Sequence, residues 1–320
     1  MKLQRLIALA VLVAAPSLAL SQAYPSRAVR LVVPYAPGGA TDALARPIAQ
    51  KLSEAFGQPV LVDNKPGANA TLGSNEVAKA APDGYTFMLG SVIHYLVPMF
   101  SKNVPYDPVR DFTPIIVAAN VPNLLAVNPA LPVNNAAELV AWAKANPGKL
   151  FYGTTGVGST HHLGGVLFAQ LAGIKMEHVA YKGGNPAMAD ALAGQLPAVI
   201  LTAPTIMPHH RAGKLRAIGL IEGRRFDVVP GMPTLGESLP GYAIPDTWFG
   251  FLGPANMPRA LVERLNAEIR KAIHLPDVKP RLEQLGYEVT GNSVDEFNAA
   301  MKKDVAVFKK IISDAGIQPE

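Results

Sequence analysis

Ser159, His161 and His162 are the residues of this sequence that could carry out nucleophilic chemistry. A serine hydroxyl beside an imidazole is the arrangement of many hydrolases, in which the imidazole takes the serine proton. The surrounding Gly-Val-Gly-Ser-Thr departs from the Gly-x-Ser-x-Gly nucleophile elbow, and two adjacent histidines cannot both lie on one face of a helix. We therefore expect no enzyme, and a hydrolase that uses Ser159 with His161 or His162 is the alternative.

The histidines also lack the spacing of a metal site. His161-His162 and His209-His210 are adjacent pairs without i,i+4 spacing, the chain has no cysteine, and no dense carboxylate cluster accompanies them. We expect neither a metal nor a cofactor. His161 or His162 is expected in the first turn of a helix, where it could donate to a ligand or simply cover the turn.

Binding of an anion is favoured by the stretch from Leu31 to Ile48. Its apolar start predicts a buried strand, residues 34–39 end that strand, and Thr41 or Asp42 could cap a helix over residues 43–52. Backbone N–H groups and the positive end of a helix dipole would then meet at one spot, which suits an anion. The stretch lacks the Walker A and dinucleotide-binding patterns, so a nucleotide is not expected. An ordinary strand-to-helix turn is the plainer alternative.

A second stretch, residues 150–172, repeats this pattern. A short strand leads to a glycine-rich turn, Ser159 or Thr160 is expected as a cap, and the following helix has Leu163, Leu167 and Leu171 on one face. One such turn is weak support for a site. Two of them, which we call the first turn (residues 34–42) and the second turn (residues 153–160), predict an anion site in a cleft.

Other polar side chains lie near predicted strand ends and could join this cleft. Ser91 follows the strand predicted over residues 85–89, and ligands of open α/β sheets bind where strands end. Tyr35 and Tyr181 lie near the ends of two other strands. Packing is the commoner role of such a tyrosine, although a buried hydroxyl needs a partner.

The elements that position these residues alternate between strand and helix, which predicts an α/β fold with mostly parallel sheets flanked by helices. A mature chain of about 300 residues is at the size where one core usually divides in two. We predict lobe 1 over residues 24–119 and 250–320 and lobe 2 over residues 120–249. Residues 259–273 and 294–315 are predicted as helices of lobe 1.

The first 23 residues read as a secretory signal peptide. Lys2 and Arg5 precede an apolar run, and Ser21-Gln22-Ala23 fits the pattern before a cleavage site. The run is shorter than the roughly 20 residues that span a bilayer, so a membrane anchor is the weaker interpretation. Cleavage lowers the formal net charge from +5 to +3. Without a basic cluster we expect no nucleic-acid partner. We predict a periplasmic monomer.

From Tyr24 almost to its end, the chain resembles the periplasmic solute receptors of tripartite tricarboxylate transporters, the Bug family. The resemblance rests on YPSRAVRLVVPYAPGGATD, LSEAFGQPVLVDNKPGANATLGSNEVAKAAPDGYT, VPYDPVRDFTP, ANPGKLFYGTTGVGSTHHL, HVAYKGGNPAMADALAGQ, AGKLRAIG and WFGFLGPANMP, in this order. It implies a two-lobed periplasmic-binding-protein fold, a Venus flytrap, that holds a small carboxylate between its lobes. It also implies membrane transporter subunits as partners.

The resemblance further implies that backbone amides, hydroxyls and ordered waters hold the carboxylate. In the first turn it points to Ala36, Pro37, Gly39, Ala40, Thr41 and Asp42, and in the second to Thr154, Thr155, Gly158, Ser159 and Thr160. We add Tyr35, Ser91, His161, Tyr181 and Thr202 as candidate contacts. A sensor that serves signalling instead of transport is a further alternative.

Two positions depart from the family pattern and bear on the ligand. Many relatives have acids where this chain has Pro197 and Thr202. The second acid could pair with a ligand ammonium group, so its absence disfavours amino acids. We therefore expect a carboxylate without an amine, either a di- or tricarboxylate or an aromatic acid.

Overall fold

The fold is described from a computed structural model, which covers residues 24–314 and Gly316. The predicted signal peptide, residues 1–23, lies outside the described residues. Among the described helices, none is both long enough and apolar enough to cross a membrane.

Eleven strands form two sheets in the described part of the chain. They are β1 (Val29–Val33), β2 (Val60–Asn64), β3 (Thr86–Ser91), β4 (Phe112–Asn120), β5 (Asn123–Val127), β6 (Phe151–Thr154), β7 (Glu177–Ala180), β8 (Ala198–Thr202), β9 (Arg216–Leu220), β10 (Trp248–Pro254) and β11 (Glu288–Val289).

Helices cover the sheets. They are α1 (Ala40–Phe56), α2 (Thr71–Ala78), α3 (Ile93–Phe100), α4 (Ala136–Ala145), α5 (Thr160–Ala172), α6 (Gly184–Leu192), α7 (Ala203–Arg211), α8 (Arg259–Ile273), α9 (Lys279–Leu285) and α10 (Val294–Asp314). A short 3₁₀ helix covers Leu235–Glu237.

Each sheet forms the centre of one lobe. The first has the order β11-β4-β10-β3-β1-β2, and the second has the order β7-β6-β8-β5-β9. Strand β1 lies between β2 and β3 and pairs with both in parallel. Its valines and leucine are buried, as expected of a central strand that helices cover on both faces.

The sheets are mixed, whereas the sequence predicts mostly parallel ones. In the second sheet β5 runs antiparallel to both β8 and β9, and in the first β10 runs antiparallel to both β3 and β4. Strand β5 enters its sheet directly from β4, and β10 is the strand that returns to the first sheet. A strand that enters without a crossover helix is free to pair antiparallel. The remaining strands, apart from the short β11, run in one direction within each sheet.

The two helix starts at the predicted turns differ from each other. Ser159 caps α5, because its Oγ accepts from His162 N at 3.1 Å, which confirms the predicted cap. The prediction for α1 is wrong: the helix begins at Ala40 after the N-cap Gly39, so Thr41 and Asp42 lie inside its first turn. Helix α3, for which the sequence gives no prediction, contains Pro98.

Candidate functional site

The first turn joins β1 to α1 and is held in shape by Asp42. The two carboxylate oxygens accept from Gly38 N (2.9 Å), from Arg46 Nε and Nη2 (2.8 and 3.0 Å) and from Asn64 Nδ2 (3.0 Å). Burial acts to raise the pKa of Asp42, but the hydrogen bonds from Arg46, Gly38 and Asn64 outweigh it and lower the pKa. Since an ionised carboxylate has about four acceptor positions, the side chain is saturated within the turn.

Tyr35 and Ser91 meet at the end of the first sheet, as the prediction for the cleft requires. Their hydroxyls lie 2.7 Å apart, and Ser91 Oγ also accepts from Ile93 N at 3.3 Å. Burial is the main cause that raises the pKa of Tyr35. This pair stays neutral and links the first turn to the end of β3.

The second turn joins β6 to α5, and its hydroxyls bond within the protein. Ser159 Oγ donates to Gly156 O at 2.7 Å while accepting from His162 N. Thr154 Oγ1 accepts from Gly156 N at 3.1 Å and lies 2.7 Å from His178 Nε2. The Ser159 proton is therefore directed at a backbone carbonyl, which is not the arrangement of a serine nucleophile.

His161 is buried beneath the second turn. Its Nδ1 lies 2.9 Å from Thr155 Oγ1, and its Nε2 lies 2.7 Å from Asn123 Oδ1. Burial lowers the pKa of His161 to about 3, so the imidazole is neutral. Burial, followed by the neighbouring His162, likewise lowers the pKa of His178 to about 4.

Tyr181 follows β7 and Thr202 ends β8, the two strands that flank β6 in the second sheet. Tyr181 OH donates to Asp190 Oδ2 at 2.5 Å, and burial together with that carboxylate raises its pKa to about 12. Thr202 is the buried N-cap residue of α7, and its Oγ1 lies 3.0 Å from Thr205 Oγ1. Both hydroxyls thus have partners inside the second lobe.

Both predicted turns contact the opposite lobe. Asn69 Nδ2, from the loop before α2, donates to Val157 O of the second turn at 2.7 Å. Asn185 Nδ2, at the start of α6, donates to Gly38 O of the first turn at 3.4 Å. Phe100 of α3 lies against Gly158, where an added Cβ would be 3.3 Å from the ring.

The loop that carries Asn69 has an unusual backbone. Ala68, Asn69 and Ala70 have φ values of 45°, 51° and 71°. Residues with a side chain rarely adopt these values, and such strain tends to occur at functional sites. The Gly-Ala-Asn-Ala run predicts a turn here, but no role in the site was predicted for it.

A cavity of about 400 Å³ lies between the lobes beside the first turn. Gly38, Gly39 and Ala40 line one side, and residues of α6 and α7, including Met188 and Pro204, line the other. Tyr287 also lines the cavity, and its hydroxyl donates to Ala40 O at 2.6 Å. No acidic residue is among the described residues that line it, and none of them belongs to the second turn.

Metal ligands are not assembled in this region. Within residues 24–314 no group of three or more histidine, aspartate or glutamate residues is placed to hold a metal ion. What the cleft offers an anion is backbone. The first N–H groups of α1 and α5 have no partner within their own helices, and the positive ends of both helix dipoles lie there.

The two sheets, the helix starts at their facing edges and the cavity between them define a two-lobed solute-binding protein of the periplasmic-binding-protein class. The family model described as tripartite tricarboxylate transporter family receptor matches residues 44–317. The chain belongs to this family, as its resemblance to the Bug receptors predicts.

Similar proteins agree with this assignment. A protein of the tcbD-tcbE intergenic region of Pseudomonas sp. (strain P51) is 39% identical over 292 residues, which are 91% of this chain and 87% of that protein. The solved structure of R. palustris Rpa4515 with adipate is 35% identical, has a TM-score of 0.88, and corresponds to 93% of this chain and all of that one. MatC (Rpa3494) from Rhodopseudomonas palustris with bound malate is 30% identical, with a TM-score of 0.83 over 90% of this chain and all of that one.

Proposed function

We propose that this protein is a periplasmic receptor that captures a small organic carboxylate between its lobes and delivers it to a membrane transporter of the tripartite tricarboxylate type. The observation that carries the proposal is that both turns, each at a helix N-terminus, are joined to the opposite lobe, the second by Asn69 at Val157 and the first by Asn185 at Gly38. Helix N-termini bind anions through their N–H groups.

Backbone groups are the proposed donors to the ligand carboxylate. Ser159 donates its proton to Gly156 O, Thr155 lies against His161, and Asp42 is saturated by its own turn. The N–H groups at the starts of α1 and α5 have no acceptor within their own helices, and we assign them to the carboxylate at Gly39, Ala40 and Thr41 on one side and Thr160 on the other.

The proposed ligand has no amine. An ammonium group would need a carboxylate or several acceptors. The one acid within the two turns is Asp42, whose oxygens already accept from Gly38, Arg46 and Asn64. Thr202, which stands where many relatives have an acid, bonds to Thr205. Adipate and malate, each bound to a similar protein, are dicarboxylates without an amine and support this class.

We infer that the receptor is not catalytic. A serine hydrolase needs a base to accept the serine proton, and Ser159 instead directs its proton to Gly156 O. Esterase activity that disappears in Ser159→Ala would contradict this inference. A loss of roughly 1 kcal/mol in ligand binding, without any hydrolysis, is expected if the hydroxyl only supports the turn.

The test of the proposed function is a thermal-shift screen. The protein from Tyr24 onward is unfolded and refolded to remove bound ligand, and is then mixed with adipate, malate, succinate, citrate, benzoate, aspartate and glutamate. A ligand at 100 times its dissociation constant should add about 2.7 kcal/mol of stability. Stabilisation by an amine-free acid is the expected result. A response to aspartate or glutamate alone would overturn the ligand class, and no response to any acid would overturn the function.

A further inference from the structure

The chain passes between the sheets at two segments, and these segments lie side by side. Residues 121–122 lead from β4 into β5, and Thr247 immediately precedes β10. Val121 N donates to Thr247 O at 2.7 Å, which joins the two segments. Any rotation of one lobe against the other must act on this pair, which we call the hinge.

Asn123, the first residue of β5, has both of its amide protons engaged next to the hinge. Its Nδ2 donates to Glu222 Oε1 at 2.6 Å and to Thr247 Oγ1 at 2.7 Å. Its backbone N donates to both oxygens of Glu222 at 3.1 Å. Glu222 Oε1 thus accepts two N–H groups, so a proton on this carboxyl group would lie on Oε2.

These bonds determine the direction of the hydrogen bonds that follow. With both protons of its amide engaged, Asn123 offers only Oδ1 to His161, so Nε2 of the buried imidazole carries the proton. A neutral imidazole has one N–H, and Nδ1 must therefore accept. The hydroxyl of Thr155 donates to it across 2.9 Å. Each group therefore donates to the next one towards the hinge, from Thr155 to His161, from His161 to Asn123 and from Asn123 to Thr247.

We propose that Asn123 is a positioning residue that couples the hinge to the second turn through His161. Displacement of Thr247 or residues 121–122 moves Asn123, and His161 transmits that displacement to Thr155, beside the N–H groups at the start of α5. Because the second turn binds a ligand only under the proposed function, the consequence for affinity rests on that function. The coupling itself does not.

A second threonine–histidine pair in the same turn does not continue to the hinge. Thr154 Oγ1 lies 2.7 Å from His178 Nε2, but His178 belongs to β7 at the edge of the second sheet, away from β5. The turn thus has two threonine–histidine pairs, and the one at Thr155 continues to Asn123 and the hinge.

The test compares three variants by amide NMR of the ligand-free protein at pH 7. Thr247→Val removes the hydroxyl that Asn123 contacts and keeps the side-chain shape, while Thr247→Ser restores a hydroxyl. Thr290→Val is the matched control, because it removes the hydroxyl that donates to Val117 O at 3.0 Å, a bond within the first lobe. We expect Thr247→Val to move the amide signals of the second turn, Thr247→Ser to return them towards the native positions, and Thr290→Val to leave them unchanged.

Unmoved second-turn signals in Thr247→Val, or equal movement in Thr290→Val, would overturn the proposal. A measurement on the unaltered protein decides the matter even if a variant fails to fold: long-range 15N NMR should show the proton of His161 on Nε2, and a proton on Nδ1 overturns the proposal. Where adipate or malate binds, Thr247→Val should weaken binding by roughly fivefold. If neither those acids nor any other binds, the proposed function fails while the NMR result still decides the coupling.

Discussion

Asp42 Oδ2 accepts a hydrogen bond from Gly38 N at 2.9 Å, so a residue inside the first turn of α1 reaches back to hold the loop that precedes it. Arg46 and Asn64 occupy its remaining acceptor positions. This supports a bracing role for the Asp42 carboxylate. If Asp42 contacts the ligand as predicted, it does so through its backbone N–H.

Asp42→Asn should loosen the first turn. The new amide nitrogen would face N–H donors where a carboxylate oxygen now accepts them, and a hydrogen bond to a charged group contributes about 1.5–3 kcal/mol. We expect the free energy of unfolding in urea at pH 7 to fall by about 2–3 kcal/mol, and carboxylate binding to weaken.

Asp83→Asn is the matched control for this change. Asp83 pairs with Arg27 at 3.3 Å, but the two side chains are 44% and 66% exposed, and such pairs contribute under about 1 kcal/mol. Equal losses of stability in the two aspartate variants would show that Asp42 does not brace the turn.

Gly156→Ala should hinder closure of the lobes. The added Cβ would lie 2.6 Å from Asn69 Oδ1 of the opposite lobe, at a residue whose φ is +130°. Gly183→Ala introduces a side chain at a similar φ of +123°, but its Cβ would meet nothing within 4 Å. By isothermal calorimetry we expect carboxylate affinity to fall at least about tenfold more in Gly156→Ala than in Gly183→Ala, since 1.4 kcal/mol is a factor of ten. Similar losses would assign the effect to backbone strain alone.

Asn69→Asp should disfavour the closed arrangement through charge. Asn69 Nδ2 now donates to Val157 O at 2.7 Å, and a carboxylate oxygen there would face a carbonyl oxygen. Asn69 is exposed and has φ of 51°, a conformation that aspartate tolerates, so the fold itself should be little affected. Small-angle scattering should report a larger radius of gyration than in Asn69→Gly, which removes the bond without repulsion. An unchanged radius in both variants would exclude Asn69 as a contact that holds the lobes together.

Local patterns in the sequence predict much of the fold. The apolar run of β1, the glycines that follow it and the capping serine of α5 lie within a few residues of the elements that they specify, so their structural roles can be interpreted from sequence. Helix α8, predicted over residues 259–273, is confirmed with those bounds. Strand direction was not predictable, because the pairing of β5 and β10 depends on how the chain passes between the lobes.

The residues that sequence analysis missed have partners far away in the chain. Asn69 and Val157 are 88 residues apart, and Asn123 and Glu222 are 99 residues apart. Asn123 and Glu222 each look like a polar residue at the end of an apolar strand, and composition does not show that they meet. Local turns predict the location of the proposed anion site, whereas the contacts between lobes and the support behind the second turn depend on tertiary structure.

Glu222 should make stability depend on pH in a direction opposite to that of an ordinary ion-paired carboxylate. Burial raises its pKa from 4.5 to about 8, despite the hydrogen bonds from Asn123. Between these two values the folded protein holds a proton that the unfolded chain has lost. The stability that protonation of Glu222 contributes is therefore fully present below pH 4.5 and is lost as the pH rises through 8.

The measurement is the difference in unfolding free energy between the native protein and Glu222→Gln, taken in urea at pH 5, 6, 7 and 8. We expect the unfolding free energy of the native protein to fall relative to that of Glu222→Gln as pH rises, by up to about 1.4 kcal/mol per pH unit. Glu237→Gln is the control, because the hydrogen bond from Arg225 is the main cause that lowers the pKa of Glu237 to about 2. The contribution of Glu237 to stability is lost only as pH falls below 4.5, the ordinary pKa of glutamate. The difference in unfolding free energy between the native protein and Glu237→Gln should therefore stay constant from pH 5 to 8. A flat difference for Glu222→Gln as well would mean that the carboxyl group beside Asn123 is ionised throughout, and that its hydrogen bonds offset the cost of burying its charge.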